Sequence, residues 1–310
     1  MWRVGVSVVR MSRRSLLTTA EGTTQQAFGP SEWGLVAGIS LIWGGSFVFI
    51  ANGLESFPPP VIGLLRLVLG FTALSFVPAT RAVTFEAADR RRAALLGLVW
   101  MALPFLLFPI AEQWIASSVA GMLNGGIPVV AAGVAAILLR RAPGTTQIIG
   151  IGAVGIVLIS LPSLAGGSRT ALGVALVLVA VLCYGVSSNV AVPLTQKYGS
   201  IATQWRIQGA AVVWSLPYAL SRVGEIHDVT VKSAGSVFVL GLFGTGFAMV
   251  LAGKLMARVG VTRGTIFNYI VPVVAIVLGV VFRDDVMEPL HLAGIALVLV
   301  GAWVVTRKGR

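Results

Sequence analysis

The stretches NGGIPVVA, residues 124–131, and NYIVPVVA, residues 268–275, share one pattern: Asn, three residues, Pro, then Val-Val-Ala, 144 positions apart. Both lie inside long apolar runs. Asn is costly in such a run and Pro breaks a helix. Using the combination twice points to a duplicated unit and to two interrupted helices.

The surroundings are those of a lipid-embedded chain. Hydrophobic residues make up 56% of the 310 positions and charged residues 11%, against roughly 25% charged in soluble domains. A spanning helix needs about 17–25 residues. Ten apolar runs approach that length: 33–51, 61–77, 93–111, 119–139, 147–161, 172–193, 202–220, 234–255, 264–282 and 289–305. The fifth is short, and Gln204, Arg206 and Gln208 interrupt the seventh. The runs lack the ten-residue alternation of membrane strands. Helices satisfy their own backbone polar groups and are therefore the expected elements.

Charge predicts orientation. With the N-terminus in the cytoplasm, 17 Lys and Arg residues fall on the cytoplasmic side and 4 on the other, leaving Arg66 and Arg206 within spans. That bias places both termini in the cytoplasm of a multi-pass protein of the cell membrane. It also accounts for the net charge of +12 without nucleic acid, since the charges are spread over span-flanking loops. Residues 1–32 read as a disordered basic cytoplasmic tail. They lack the sustained apolar core of a signal peptide, and Met11 offers a second translation start. The lone cysteine, Cys183, lies in the sixth run, where its expected use is packing.

The duplication extends beyond the opening motif. IWGGSF (42–47) aligns with CYGVSS (183–188), matching Gly44 to Gly185 and Ser46 to Ser187. LLRL (64–67) aligns with QWRI (204–207), matching Arg66 to Arg206, and Gly150 aligns with Gly294. The matches are collinear at nearly constant offset. Each unit, 33–162 and 172–306, contains five runs. An odd number makes the second copy enter the membrane from the opposite side. The fold expected is all-α: ten transmembrane helices as two inverted-topology five-helix repeats, an arrangement common among secondary transporters.

LIWGGSFVFI (41–50), LLRLVLGF (64–71), AEQWIASSVAGMLNGGIPVVAA (111–132), QIIGIGAVGIVLI (147–159) and the run from Asn268 to Val305 resemble the EamA family of the drug/metabolite transporter superfamily. The resemblance covers about residues 33–305 in both halves. It implies ten helices, two EamA repeats and a central cavity. It also implies a secondary transporter of amino acids, nucleotide-related metabolites or drug-like solutes, acting as an exporter or exchanger. The family's acidic position after the motif proline reads Asp285 in the second half and Arg141 in the first.

Candidate site residues follow from cost and recurrence. Pro128 and Pro272 each free a carbonyl four residues earlier, at Asn124 and Asn268. The fourth and ninth helices are thus the expected cavity-lining, hinge-bearing pair. Trp43 and Tyr184, at matched positions, are candidate cavity walls, with Ser46 and Ser187 nearby. Arg66 and Arg206 are intramembrane charges for which snorkelling to the headgroups is expected. Glu112, after the third run, is the proton-coupling candidate near the outer mouth. His227 and His291 are expected at the surface. GLVAG (34–38) and GMLNG (121–125) suit tight helix crossings, and Trp33, Trp114 and Trp303 suit an interfacial belt.

Other classes fit less well. A membrane enzyme needs convergent polar groups, whereas this chain has two histidines and no HExxH, GxSxG or CxxC. A channel needs a charged or carbonyl-rich filter, and only LNGGIP loosely permits one. The expected partners are a small-molecule substrate and the lipid bilayer, with a homodimer also compatible. Neither a cofactor nor a metal is expected.

Overall fold

In a computed structural model of the chain, residues 28–81, 83–139, 154, 155, 157–162, 167–264 and 266–307 are described. Their regular elements are all helical. The helices are α1 (Pro30–Gly53), α2 (Pro59–Ser75), α3 (Ala87–Ala111), α4 (Ser117–Leu138), α5 (157–162), α6 (Ser168–Tyr198), α7 (Ser200–Leu220), α8 (Val231–Val259), α9 (Phe267–Arg283) and α10 (Pro289–Arg307). Most of the fifth run, the basic tail up to residue 27 and Arg141 lie outside the described residues.

Sequence determines where several of these helices begin. Pro59 and Pro60 open α2, where an amide donor would have no intrahelical partner. The Gly29 amide donates to the Glu32 carboxylate at 3.0 Å, closing the first turn of α1. The Thr230 hydroxyl accepts from the Ser233 amide at the start of α8. The polar residues that interrupt the seventh run do not interrupt α7. Gln204 and Gln208 are fully buried, while Val213 and Trp214 on the same helix are exposed. The amide of Gln208 donates to the Thr245 carbonyl at 2.9 Å.

The helices pair as an inverted repeat requires. Helix α1 packs on α9, and its counterpart α6 packs on α4. Helix α2 packs on α8, and its counterpart α7 packs on α3. The self-matched pairs α2–α7 and α4–α9 meet across the pseudo-two-fold axis. Two close crossings obey the same symmetry. A Cβ on Gly44 would lie 2.4 Å from the Val274 side chain, and one on Gly185 would lie 2.4 Å from the Val130 side chain. Only glycine allows these backbones to approach so closely.

Three features depart from ten plain helices. Helix α4 breaks after Asn124, at residues 125–126, where the amides of Gly125 and Gly126 reach back only three residues. The matching break before α9 falls at Ile266, about one turn earlier in register, between the short helix Val261–Gly264 and Phe267. Helices α3 and α8 each contain a π-helical stretch, Gly97–Ala102 and Leu240–Phe247, at repeat-equivalent positions. The expected crossing at GLVAG does not form. Positions 34 and 38 have open space where a side chain would sit, and α1 makes its close approach at Gly44 instead. GMLNG does form one: a Cβ on Gly121 would lie 2.3 Å from the Ala275 side chain.

Candidate functional site

A cavity opens between the two repeats. Helix α1 contributes Trp43, Ser46, Phe47 and Ile50, and its counterpart α6 contributes Tyr184 and Ser188. Helix α3 supplies Trp100, Phe105 and Phe108, and α8 supplies Met249 and Met256. The broken helices bring Asn124 and Ile127 from α4, and Phe267 and Asn268 from α9. The cavity therefore has aromatic walls, two thioethers, two carboxamides and one permanent charge, Arg66.

The repeated motif accounts for the two carboxamides. Each proline removes one backbone donor, and a break lies just upstream of each. The Asn side chains sit beside those breaks, buried from bulk solvent but lining the cavity. Asn268 Oδ1 has no hydrogen-bond partner among the described residues. Pro128 and Pro272 themselves are not in the lining.

The matched aromatics line the cavity from different repeats. Trp43 packs edge-on against Phe267, with ring centroids 5.0 Å apart, and its indole N–H donates to the Gly244 carbonyl at 2.9 Å. That carbonyl belongs to the π stretch of α8. Tyr184 stacks on Phe108 at 6.0 Å. The matched serines are treated unequally. Ser46 lines the cavity, whereas Ser187 is buried in a separate groove between α3 and α6, and its neighbour Ser188 takes the cavity position.

The two intramembrane arginines also part company. Arg206 donates to the carbonyls of Thr80, at 3.0 Å, and Val83, tying α7 to the α2–α3 connection, and its guanidinium lies over Phe85. Arg66 does not snorkel. It is 4% exposed, its guanidinium lies 3.7 Å above the centroid of Phe105, and its Nε donates to Thr245 Oγ1 at 3.1 Å. Glu112 caps the end of α3, outside the cavity lining. Both carboxylate oxygens are buried and lack a partner among the described residues. Asp285 accepts from the Ser118 amide at 2.9 Å and the Ser117 hydroxyl at 3.0 Å, placing its charge at the N-terminus of α4. His227 is exposed, but His291 is buried, contrary to expectation. Its Nδ1 accepts from the Glu288 amide at 3.2 Å and so closes the first turn of α10.

Ion pairs fasten both ends of the bundle. At the end where α1 begins, Lys197 of α6 binds Asp89 of α3 at 2.8 Å and Glu86 at 2.6 Å. The Tyr198 hydroxyl donates to the same Asp89 carboxylate at 2.8 Å, and its ring stacks on Phe85. At the opposite end, Glu55 after α1 receives Lys232 of α8 at 2.7 Å and Arg283 of α9 at 2.6 Å. Arg283 also donates to Asn52 Oδ1 at 3.1 Å.

Sequence reasoning missed Phe105, Phe108, Trp100, Met249 and Met256 as cavity residues. Each belongs to α3 or α8, and no apolar pattern marks which face of those helices turns inward once a π stretch shifts the register. One usable signal was available: Gly97 and Gly241 stand 144 positions apart, the offset of the Asn–Pro motif.

A model of the EamA-like transporter family matches residues 32–161 and again 171–307. A protein of Streptantibioticus cattleyicolor named "Probable terminal-alkyne amino-acid exporter" is 28% identical over 278 residues, covering 89% of this chain and 93% of that one. An uncharacterized transporter of Archaeoglobus fulgidus is 25% identical over 281 residues, covering 89% and 99%. The uncharacterized inner membrane transporter YedA of Escherichia coli is 24% identical, covering 88% and 90%. A crystal structure superimposes with a TM-score of 0.65 at 17% identity over 89% of this chain and 96% of the other, a likeness of fold.

Proposed function

The chain belongs to the EamA-like transporter family, and on that premise we propose that it carries a small metabolite across the cytoplasmic membrane by alternating access. The solute is an amino acid, a nucleotide-related compound or a drug-like molecule, and the protein works as an exporter or exchanger. The observation that carries this reading is the cavity itself. It lies between two inverted repeats, and a separate set of ion pairs fastens each end. A site enclosed this way can be exposed to one side at a time by parting one set while the other holds. The name of the Streptantibioticus relative supports the direction of export. The positive-inside bias supports cytoplasmic termini.

Glu112 is the proposed proton carrier. Its carboxylate is buried and unpartnered, at the end of a helix that walls the cavity. Transport in proteoliposomes of a metabolite panel, with and without a pH gradient, tests both parts. Saturable uptake with counterflow exchange is expected. Linear, non-saturating flux or steady ion conductance would replace the carrier with a channel-like facilitator. Glu112→Gln should abolish acceleration by the pH gradient and leave counterflow measurable; unchanged acceleration would leave Glu112 without a coupling role.

A further inference from the structure

Among the described residues, Arg66 is the one charged side chain in the cavity lining, and its surroundings leave half of it unused. The Nε is held by Thr245, and the plane of the guanidinium is fixed by the ring of Phe105. The two terminal nitrogens meet no protein acceptor among the described residues, and no acidic side chain there forms an ion pair with Arg66. Glu112, which stands outside the lining, attracts Arg66 through space without forming an ion pair with it. A buried cation left in this state is expensive unless something compensates it.

The comparison with Arg206 sharpens the point. The repeat-equivalent arginine spends its terminal nitrogens on backbone carbonyls and helps to hold α7 against the α2–α3 connection. Arg66 clamps no backbone. The fold could have used both arginines alike, and it turns one into the cavity.

We propose that Arg66 is the anion anchor of the central cavity, and that the solute class is an organic monocarboxylate with an aromatic or branched apolar body. The inference rests on the transporter reading above and adds the chemistry of what is carried. A guanidinium with two adjacent free nitrogens matches a carboxylate in a bidentate pair. One cation with no second positive side chain in the lining among the described residues suits a monoanion rather than a phosphate dianion. The aromatic walls, Trp43, Trp100, Phe108 and Tyr184 among them, suit an apolar body. The unpartnered Asn268 Oδ1 adds an acceptor for one N–H or O–H of the solute.

Trp43 and Trp100 supply a readout independent of transport, because both indoles face the cavity. Purified full-length protein in detergent would be titrated with phenylpropionate, with phenylpropionamide, its uncharged isostere, and with inorganic phosphate. Tryptophan fluorescence would be followed in wild type, Arg66→Lys and Arg66→Gln. Phenylpropionate should quench saturably, while the amide and phosphate should bind at least roughly tenfold more weakly, since a hydrogen bond to a charged group is worth about that much or more. Arg66→Gln should abolish the preference for acid over amide, and Arg66→Lys should retain part of it. The wild-type acid-against-amide comparison requires no variant to fold. Equal binding of acid and amide, tighter binding of phosphate, or no saturable quenching by any probe would overturn the anchor. Carrier kinetics with other solutes in the proteoliposome panel would then leave the transporter reading standing.

Discussion

The ammonium of Lys197 lies 2.8 Å from the carboxylate of Asp89 and joins the end of α6 to the start of α3. The repeat-equivalent contact at the opposite end joins the end of α1 to the start of α8, and its signs are exchanged: Glu55 accepts from Lys232 at 2.7 Å. The two latches differ in burial. The Asp89 side chain is 3% exposed, while those of Glu55 and Lys232 are 39% and 55% exposed. Asp89→Asn should therefore shift the balance between the two access states more than Glu55→Gln does. Removing the buried Asp89 charge while Glu86 still holds Lys197 supports a shift of about 1–2 kcal/mol, roughly five- to thirtyfold in population. The exposed pair supports at most about half a kcal/mol. Accessibility of cysteines at each mouth, in a Cys183→Ala background, measures both shifts. Equal effects, or effects in the same direction, would remove the latches from the access cycle.

The pH dependence of the exposed latch has a definite sign. The hydrogen bond from Lys232, followed by that from Arg283, holds the Glu55 carboxyl below its ordinary value of 4.5. A depressed carboxylate contributes fully above the ordinary value, and the contribution is lost as pH falls through the lowered one. Glu55→Gln should thus leave the shape of the transport–pH profile between pH 5 and pH 8 unchanged. Loss in the variant of a titration that the wild type shows in that window would mean that Glu55 is not held as described.

Gly44→Ala and Gly185→Ala should each destabilise the bundle, because the new Cβ would fall 2.4 Å from a valine side chain on the facing helix. Overpacking of this kind costs about 1–3 kcal/mol. Symmetry predicts similar losses at the two sites. Gly38→Ala, where space is open, serves as the control. Thermal melting in detergent reads all three variants, and a melt of Gly185→Ala matching that of Gly38→Ala would refute the close crossing.

What the sequence disclosed divides along physical lines. Span lengths, the Asn–Pro motif and the Gly44–Gly185 match are signals along the chain, and they led to the repeat and the breaks. Facing directions are not such signals. Arg66 and Arg206 occupy matched positions in similar apolar runs, yet one lines the cavity and the other clamps a loop. Ser46 and Ser187 diverge in the same way. A π stretch inserts a residue into the helical register and rotates everything beyond it. Apart from Gly97, which stands 144 positions before Gly241, nothing in Gly97–Ala102 announces that, and the direction in which the aromatic wall of α3 faces was not legible.

Orientation can be tested without a substrate. Single cysteines at Gly166 and Gly224 should label in intact cells with a membrane-impermeant thiol reagent, and cysteines at Arg91 and Arg310 should label only after permeabilisation. The 17-to-4 charge split sets this expectation. Labelling of position 91 in intact cells would reverse the assignment of the two latches to the two sides of the membrane.

The motif prolines allow a directional test. Pro128→Ala restores a backbone donor to α4, and Pro272→Ala restores one to α9. Each should favour a continuous helix across its break, at 125–126 in one case and at Ile266 in the other. The two breaks lie one turn apart in register and belong to inversely oriented helices, so the damage should be unequal and opposite. One variant should accumulate the state open on one side, and the other variant its converse, within the few-kcal/mol gap that separates such states. Asn268→Leu should reduce transport more than protein yield, because its carboxamide lines the cavity and Oδ1 has no internal partner to lose. Transport measured in both directions, together with yield and cysteine accessibility at each mouth, separates these outcomes. Unimpaired transport in all three variants would reduce the repeated Asn–Pro pattern to a packing device.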